Sequence, residues 1–198
     1  MKINRLVLLI TCFFACCNTV NSQELTKNMF NVYFGNPKQL TSTDGNGTMV
    51  VEFDRQGRVL SKSMNNMKFV YQWDEENDEV EVTLFTGDTK LSSTYIHLIT
   101  FTDTHYKYET DGITIEAFFN DYGVLIKFIG VNPQTTIIQD WYYENVSDVI
   151  PQKVTITSGN MTQTAYFSGK TDKKGNITEI TQSSNGAVST VKRKIKYY

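Results

Sequence analysis

Apolar and polar side chains alternate along most of this chain, and the alternation is broken at short intervals by residue pairs that reverse a backbone. Phe69, Tyr71 and Trp73 stand out of phase with Lys68, Val70 and Gln72, and Val80, Val82 and Leu84 with Glu79, Glu81 and Thr83. Val154 and Ile156 are flanked by Lys153, Thr155 and Thr157, and Val191, Arg193, Ile195 and Tyr197 alternate with Lys192, Lys194, Lys196 and Tyr198. A period of two in β-branched and aromatic residues means extended strands with one face buried. Asp44-Gly45, Asn46-Gly47, Asp111-Gly112, Gly175-Asn176 and Asn185-Gly186 tolerate positive φ and close tight hairpins; Asn65-Asn66 and Thr86-Gly87-Asp88 are looser turns. The intervening runs of roughly six to ten residues have the spacing of an all-β meander. About ten antiparallel strands are expected, in an open, strongly curved sheet or a nearly closed barrel. Of the three prolines, Pro37 falls in an entry loop and Pro133 and Pro151 in or beside loops, where no ladder N–H is lost. A short segment at 24–32 is the sole helix candidate.

The N-terminus carries a different signal. Lys2 and Arg5 precede an apolar run from Leu6 to Ala15. That run is short of the ~20 residues a spanning helix needs, but it suits the apolar region of a secretory leader. Val20 and Ser22 fit the small-residue pockets of a signal peptidase, so residues 1–22 are expected to be a leader and 23–198 a single all-β domain. A competing cut would leave Cys16 or Cys17 to be lipidated, and only then would the chain be tied to a membrane. All three cysteines, Cys12, Cys16 and Cys17, lie in the leader, so the processed chain must cohere through its apolar core without disulfides. Losing 22 of 198 residues leaves 176, enough for such a core. Lys2 and Arg5 leave the total of 19 basic residues, so 17 face 21 acids and the net charge is −4. A mildly acidic chain has no broad electrostatic grip on nucleic acid.

One phrase is written three times. Residues 53–59 read FDRQGRV, residues 119–125 FNDYGVL and residues 171–177 TDKKGNI. In the first, an aromatic ends a strand, an acid bonds the backbone two residues on, a glycine supplies φ > 0, and a β-branched residue starts the return strand. Serial hairpins of this kind gain stability by sharing a continuous core with their neighbours. The phrase resembles the YD (RHS-type) repeat, whose pattern is an aromatic-Asp pair, a glycine, then Arg and an aliphatic residue. Phe53-Asp54-Arg55-Gln56-Gly57-Arg58-Val59 followed by Phe69-Val70-Tyr71 carries that resemblance best. Trp73-Asp74 starts a copy in which Asn77-Asp78 replaces the glycine, and Asn120-Asp121-Tyr122-Gly123 is a third. Asp172-Lys173-Lys174-Gly175-Asn176, with the ending Lys194-Ile195-Lys196-Tyr197-Tyr198, is similar to the closing repeat of small exported bacterial YD-like proteins. Phe34-Gly35-Asn36-Pro37-Lys38 is similar to their entry segment. The resemblance implies a hairpin scaffold in the cell envelope and carries no catalytic residue.

The chemistry-bearing residues are sparse. His97 and His105 lie on two strands joined near 102–104, and Asp103 and Glu109 are the neighbouring carboxylates; a catalytic zinc would need a third ligand from these. The acidic run 74–79 lacks the rhythm of an EF-hand loop and reads as a solvated hairpin tip. Asp140 beside Trp141, Tyr142 and Tyr143 is the densest aromatic stretch and the candidate ligand-binding site, since aromatic faces stack on sugars or apolar molecules. The bland alternative buries Trp141 and Tyr143 and leaves Tyr142 on the surface. Lys192, Lys194 and Lys196 share the polar face of the last strand, where edge lysines discourage pairing between molecules. No cofactor or metal site is expected. These observations favour an exported, non-catalytic binding protein of the bacterial envelope, periplasmic or outer-membrane-associated, with an envelope protein or glycan as partner. Two alternatives remain: a barrel carrying a small apolar ligand, and a carbohydrate-active enzyme using scattered carboxylates such as Asp140.

Overall fold

A computed structural model describes residues 36–45, 47–102 and 104–198. The leader, Cys16 and Cys17, the helix expected at 24–32, Phe34 and Gly35 of the entry segment, and Asp103 lie outside the described residues. The strands are β1 (Pro37–Asp44), β2 (Gly47–Phe53), β3 (Val59–Met64), β4 (Met67–Asp74), β5 (Glu79–Thr86), β6 (Thr89–Phe101) and β7 (His105–Thr110). They continue as β8 (Ile113–Phe119), β9 (Leu125–Asn132), β10 (Thr135–Tyr142), β11 (Lys153–Ser158), β12 (Met161–Thr171), β13 (Ile177–Ser184) and β14 (Ala187–Tyr197). Each pairs antiparallel with the next, and β14 returns to pair with β1, so the meander closes as a 14-stranded barrel. The all-β meander is as expected; the strand number exceeds the expected ten. The undercount has a local cause. The turn after β9 is made by Asn132, whose side-chain carbonyl accepts from the N–H groups of Gln134 and Thr135, both at 2.8 Å. The turn after β11 rests on a single left-handed Gly159. Neither is one of the paired Asx–Gly signals. Pro37 is the first residue of β1, a position that requires no ladder N–H.

Register assigns every side chain to a face, because residues directly opposite in an antiparallel pair share one. From Leu40 the apolar face runs to Val51 on β2 and, on the other side, to Ile195 on β14. Around the wall it includes Tyr71–Val82, Val80–Ile96, Leu98–Tyr108, Ala117–Phe128 and Trp141–Val154. Leu40, Val51, Val59 and Val80 are fully buried, so this face is the lumen. All four alternations in the sequence keep their phase.

The thrice-written phrase folds as one loop three times, each at the end of the barrel where even-numbered strands pass to odd-numbered ones. Asp54 Oδ1 accepts from the N–H groups of Gln56 and Arg58, both at 2.9 Å. Asn120 Oδ1 accepts from Tyr122 and Val124, both at 3.0 Å, and Asp172 Oδ1 from Lys174 at 2.8 Å and Asn176 at 3.0 Å. In each the fourth residue is a glycine at positive φ: Gly57 (81°), Gly123 (65°) and Gly175 (89°). The preceding strand carries a register irregularity at each loop. Where glycine is missing, Asp78 takes the left-handed conformation itself, with φ 52°. Val124 and Asn176, the fifth residues of their loops, are fully buried and form part of the floor of the barrel.

Candidate functional site: the barrel lumen

The lumen is a cup. At its floor, Phe53, Val59, Val80, Leu125 and Ile177 are sealed from solvent. At the opposite rim, where odd-numbered strands turn into even-numbered ones, residues of the same inward phase open out. Met64, Met67 and Met161 there are 41%, 39% and 53% exposed. Methionines are flexible and polarizable, and fit irregular apolar surfaces. Between floor and rim, Met49, Phe69, Val82, Leu98 and Ile115 pack on the floor cluster yet keep part of their surface uncovered. A barrel of eight strands is just filled by its own side chains, and diameter grows with strand number.

The outer face mixes ion pairs with exposed apolar side chains, Tyr95, Val131, Tyr166 and Val188 among them. It carries cross-strand pairs His97–Glu79 (2.9 Å), Lys107–Glu116 (2.9 Å), Lys127–Asp140 (3.8 Å) and Lys170–Glu179 (2.8 Å). Between them stand hydroxyl pairs such as Thr181–Thr190, at 2.9 Å. The Lys170 side chain is 71% exposed. A barrel crossing a bilayer instead shows an apolar band ~25 Å tall, and each Lys or Arg facing lipid at mid-plane costs about 2–4 kcal/mol.

The residues singled out in the sequence are divided by the wall. Trp141 faces the lumen, 8% exposed, and stacks near Phe167 with ring centres 6.4 Å apart. Tyr143 packs on the same cluster, its hydroxyl donating to the Leu125 carbonyl at 2.8 Å. Asp140 and Tyr142 face outward. Asp140 meets Lys127, and the Tyr142 ring lies 4.5 Å from Lys153 Nζ. The four do not form one aromatic platform. His97 and His105 are likewise separate on the outer face, His105 reaching Glu116 at 3.3 Å, and among the described residues no three His, Cys, Asp or Glu converge. The lysines of β14 do face outward, but they guard no edge, because β14 is hydrogen-bonded on both sides.

One residue that the sequence reading did not single out is Arg193. It sits on the inward phase of β14 between Val191 and Ile195, directly opposite Ser42 of β1. A lone arginine in the apolar phase of an alternating strand was the signal that marked it.

The fold and its wall define a class, the closed up-and-down barrel with a buried apolar cluster inward and cross-strand ion pairs outward. No family model matches the chain, and no curated protein matches it. Among solved structures, a porin-like protein from Bacteroides vulgatus ATCC 8482 is similar at TM-score 0.46 and 10% identity, over 82% of this chain and 99% of that one. A porin-like protein from Bacteroides uniformis ATCC 8492 is similar at TM-score 0.35 and 9% identity, over 81% of this chain and 98% of that one.

Proposed function

We propose that this chain is an exported, non-catalytic binding protein of the bacterial envelope, and that its binding site is the barrel lumen, which holds a small apolar molecule. The observation that carries this reading is the division of the wall, with the buried apolar cluster inward and the cross-strand ion pairs outward. Such a wall shields an apolar guest from water while the protein itself stays hydrated. The partly uncovered lining at Met49, Phe69, Val82, Leu98 and Ile115 supplies the contact surface. Each Å² of it covered by a guest contributes about 25 cal/mol. The leader expected at 1–22 supports export. The ligand-binding stretch expected at Asp140–Tyr143 is divided by the wall, with Trp141 and Tyr143 inward and Asp140 and Tyr142 outward.

Titration with the neutral fluorophore N-phenyl-1-naphthylamine in detergent-free buffer tests the reading. Saturable enhancement at one site per barrel, abolished by filling the lumen with Val82→Trp in a folded variant, is expected. Absence of saturable binding would overturn it.

A further inference from the structure

We infer that the guest is an apolar acid, with a hydrocarbon body and a carboxylate that Arg193 and Ser42 grip at the β14–β1 seam. The inference rests on the lumen being the binding site, and it assigns that site's chemistry. Arg193 is 6% exposed, and its Nε, Nη1 and Nη2 have no hydrogen-bond partner. Ser42, opposite it in register and 5% exposed, leaves its Oγ unpartnered as well. A guanidinium keeps its charge at any physiological pH, and an isolated buried charge is destabilising by several kcal/mol. Proteins therefore pair such groups, and an unpaired one calls for a partner from outside the chain.

The surroundings specify that partner. No described Asp or Glu is buried; the buried charged residues are Arg193 and Lys62, and both lie on the inward face. Among the described residues, no buried carboxylate therefore stands against the Arg193 guanidinium. Besides Arg193 and Ser42, Trp141 Nε1 is a further inward-facing donor without a partner. Among the described residues, the one unpartnered buried atom that can only accept, Asn36 Oδ1, belongs to the residue before β1 rather than to the wall. Unmet donors beside the apolar cluster ask for an acceptor-rich group attached to an apolar body. The planar fork of a guanidinium matches a carboxylate through two parallel hydrogen bonds. One rung toward the floor, Leu40 and Ile195 pair beneath Ser42 and Arg193, and both belong to the apolar cluster that includes Met49 and Phe69. A headgroup on Arg193 thus places the hydrocarbon against that lining. Water alone would leave the site indifferent to a guest's charge.

The test compares 11-(dansylamino)undecanoic acid with its uncharged methyl ester on the wild-type chain and on Arg193→Met, Arg193→Lys and Ser42→Ala. The acid is expected to bind wild type at least about tenfold tighter than the ester, as one charge-assisted pair warrants. Arg193→Met should erase that preference while keeping ester binding and should raise the melting temperature; Arg193→Lys should keep part of the preference. If acid and ester bind alike, or Arg193→Met leaves the preference intact, the assignment to Arg193 falls while the lumen reading stands. If neither probe binds, both fall.

Discussion

The hydroxyl of Tyr198 donates to the backbone carbonyl of Phe53 at 2.6 Å, joining residues 145 positions apart. This bond ties the end of the chain to the loop after β2 and reinforces the β14–β1 seam on which barrel closure depends. The Tyr198 ring also lies 5.7 Å from both Lys38 Nζ and the Arg55 guanidinium. Tyr198→Phe keeps the ring and removes the bond, and should cost about 0.5–1.5 kcal/mol in urea unfolding. Tyr198→Ala should cost more, since each exposed cation–ring contact adds about 0.5–1 kcal/mol.

The floor loops are held by one side-chain oxygen each, and Asn120 shows that a carbonyl serves as well as a carboxylate. Asn120→Asp keeps that acceptor but loses the hydrogen bond that Asn120 Nδ2 donates to the Val146 carbonyl at 2.7 Å, and should cost about 0.5–1.5 kcal/mol. Asn120→Ala leaves the N–H groups of Tyr122 and Val124 without that acceptor and should cost about 1–3 kcal/mol by the same unfolding measurement.

Much of this fold was legible because a strand's period is short enough to read locally. Phe69, Tyr71 and Trp73 announce their common face within five residues, and Asp111-Gly112 or Asn185-Gly186 announce the turn between two such strands. What depends on distant pairing was not legible. Nothing local to Pro37 or Tyr197 says that β1 and β14 meet, and closure is what turned Lys192, Lys194 and Lys196 from guards of an edge into members of a continuous outer wall. The division of the candidate site was not legible for a related reason. Asp140, Trp141, Tyr142 and Tyr143 looked like a cluster because they are consecutive, yet consecutive strand residues point to opposite faces. Arg193 was visible in the right phase, but its isolation becomes meaningful only when the strand opposite it proves to be β1, where Ser42 rather than an acid stands across from it.

Close approach of two strands fixes Gly169. A Cβ there would stand 2.1 Å from the Glu179 carbonyl oxygen, an atom of the neighbouring backbone that cannot swing aside. Gly169→Ala should therefore destabilise by about 1–3 kcal/mol or more through forced backbone shifts. Gly87→Ala, a turn glycine whose added methyl meets nothing within 4 Å, tests turn strain alone. Comparing their unfolding midpoints separates crowding from strain, with the larger loss expected at Gly169.

Acid sensitivity should track Glu116. The hydrogen bond from Lys107 Nζ, then that from the His105 ring, hold its carboxyl below the ordinary glutamate range. A carboxyl with a depressed native value stabilises the fold above the unfolded value of ~4.3 and loses that contribution as pH falls through the native value. Glu116→Gln should lower stability at neutral pH and flatten its decline on acidification below that value. An unchanged acid slope in urea melts run across this window would remove the assignment.

The central claim is that the apolar face of the wall looks inward, and both tryptophans, Trp73 and Trp141, report on that face. The decisive measurement is quenching of their fluorescence by bromine, presented either in vesicles of brominated phosphatidylcholine or on a neutral brominated long-chain alcohol. An inward apolar wall predicts saturable quenching by the alcohol in detergent-free buffer and none from the vesicles. Strong quenching by the vesicle lipid, with none by the alcohol, would put the apolar face on the outside and contradict the account.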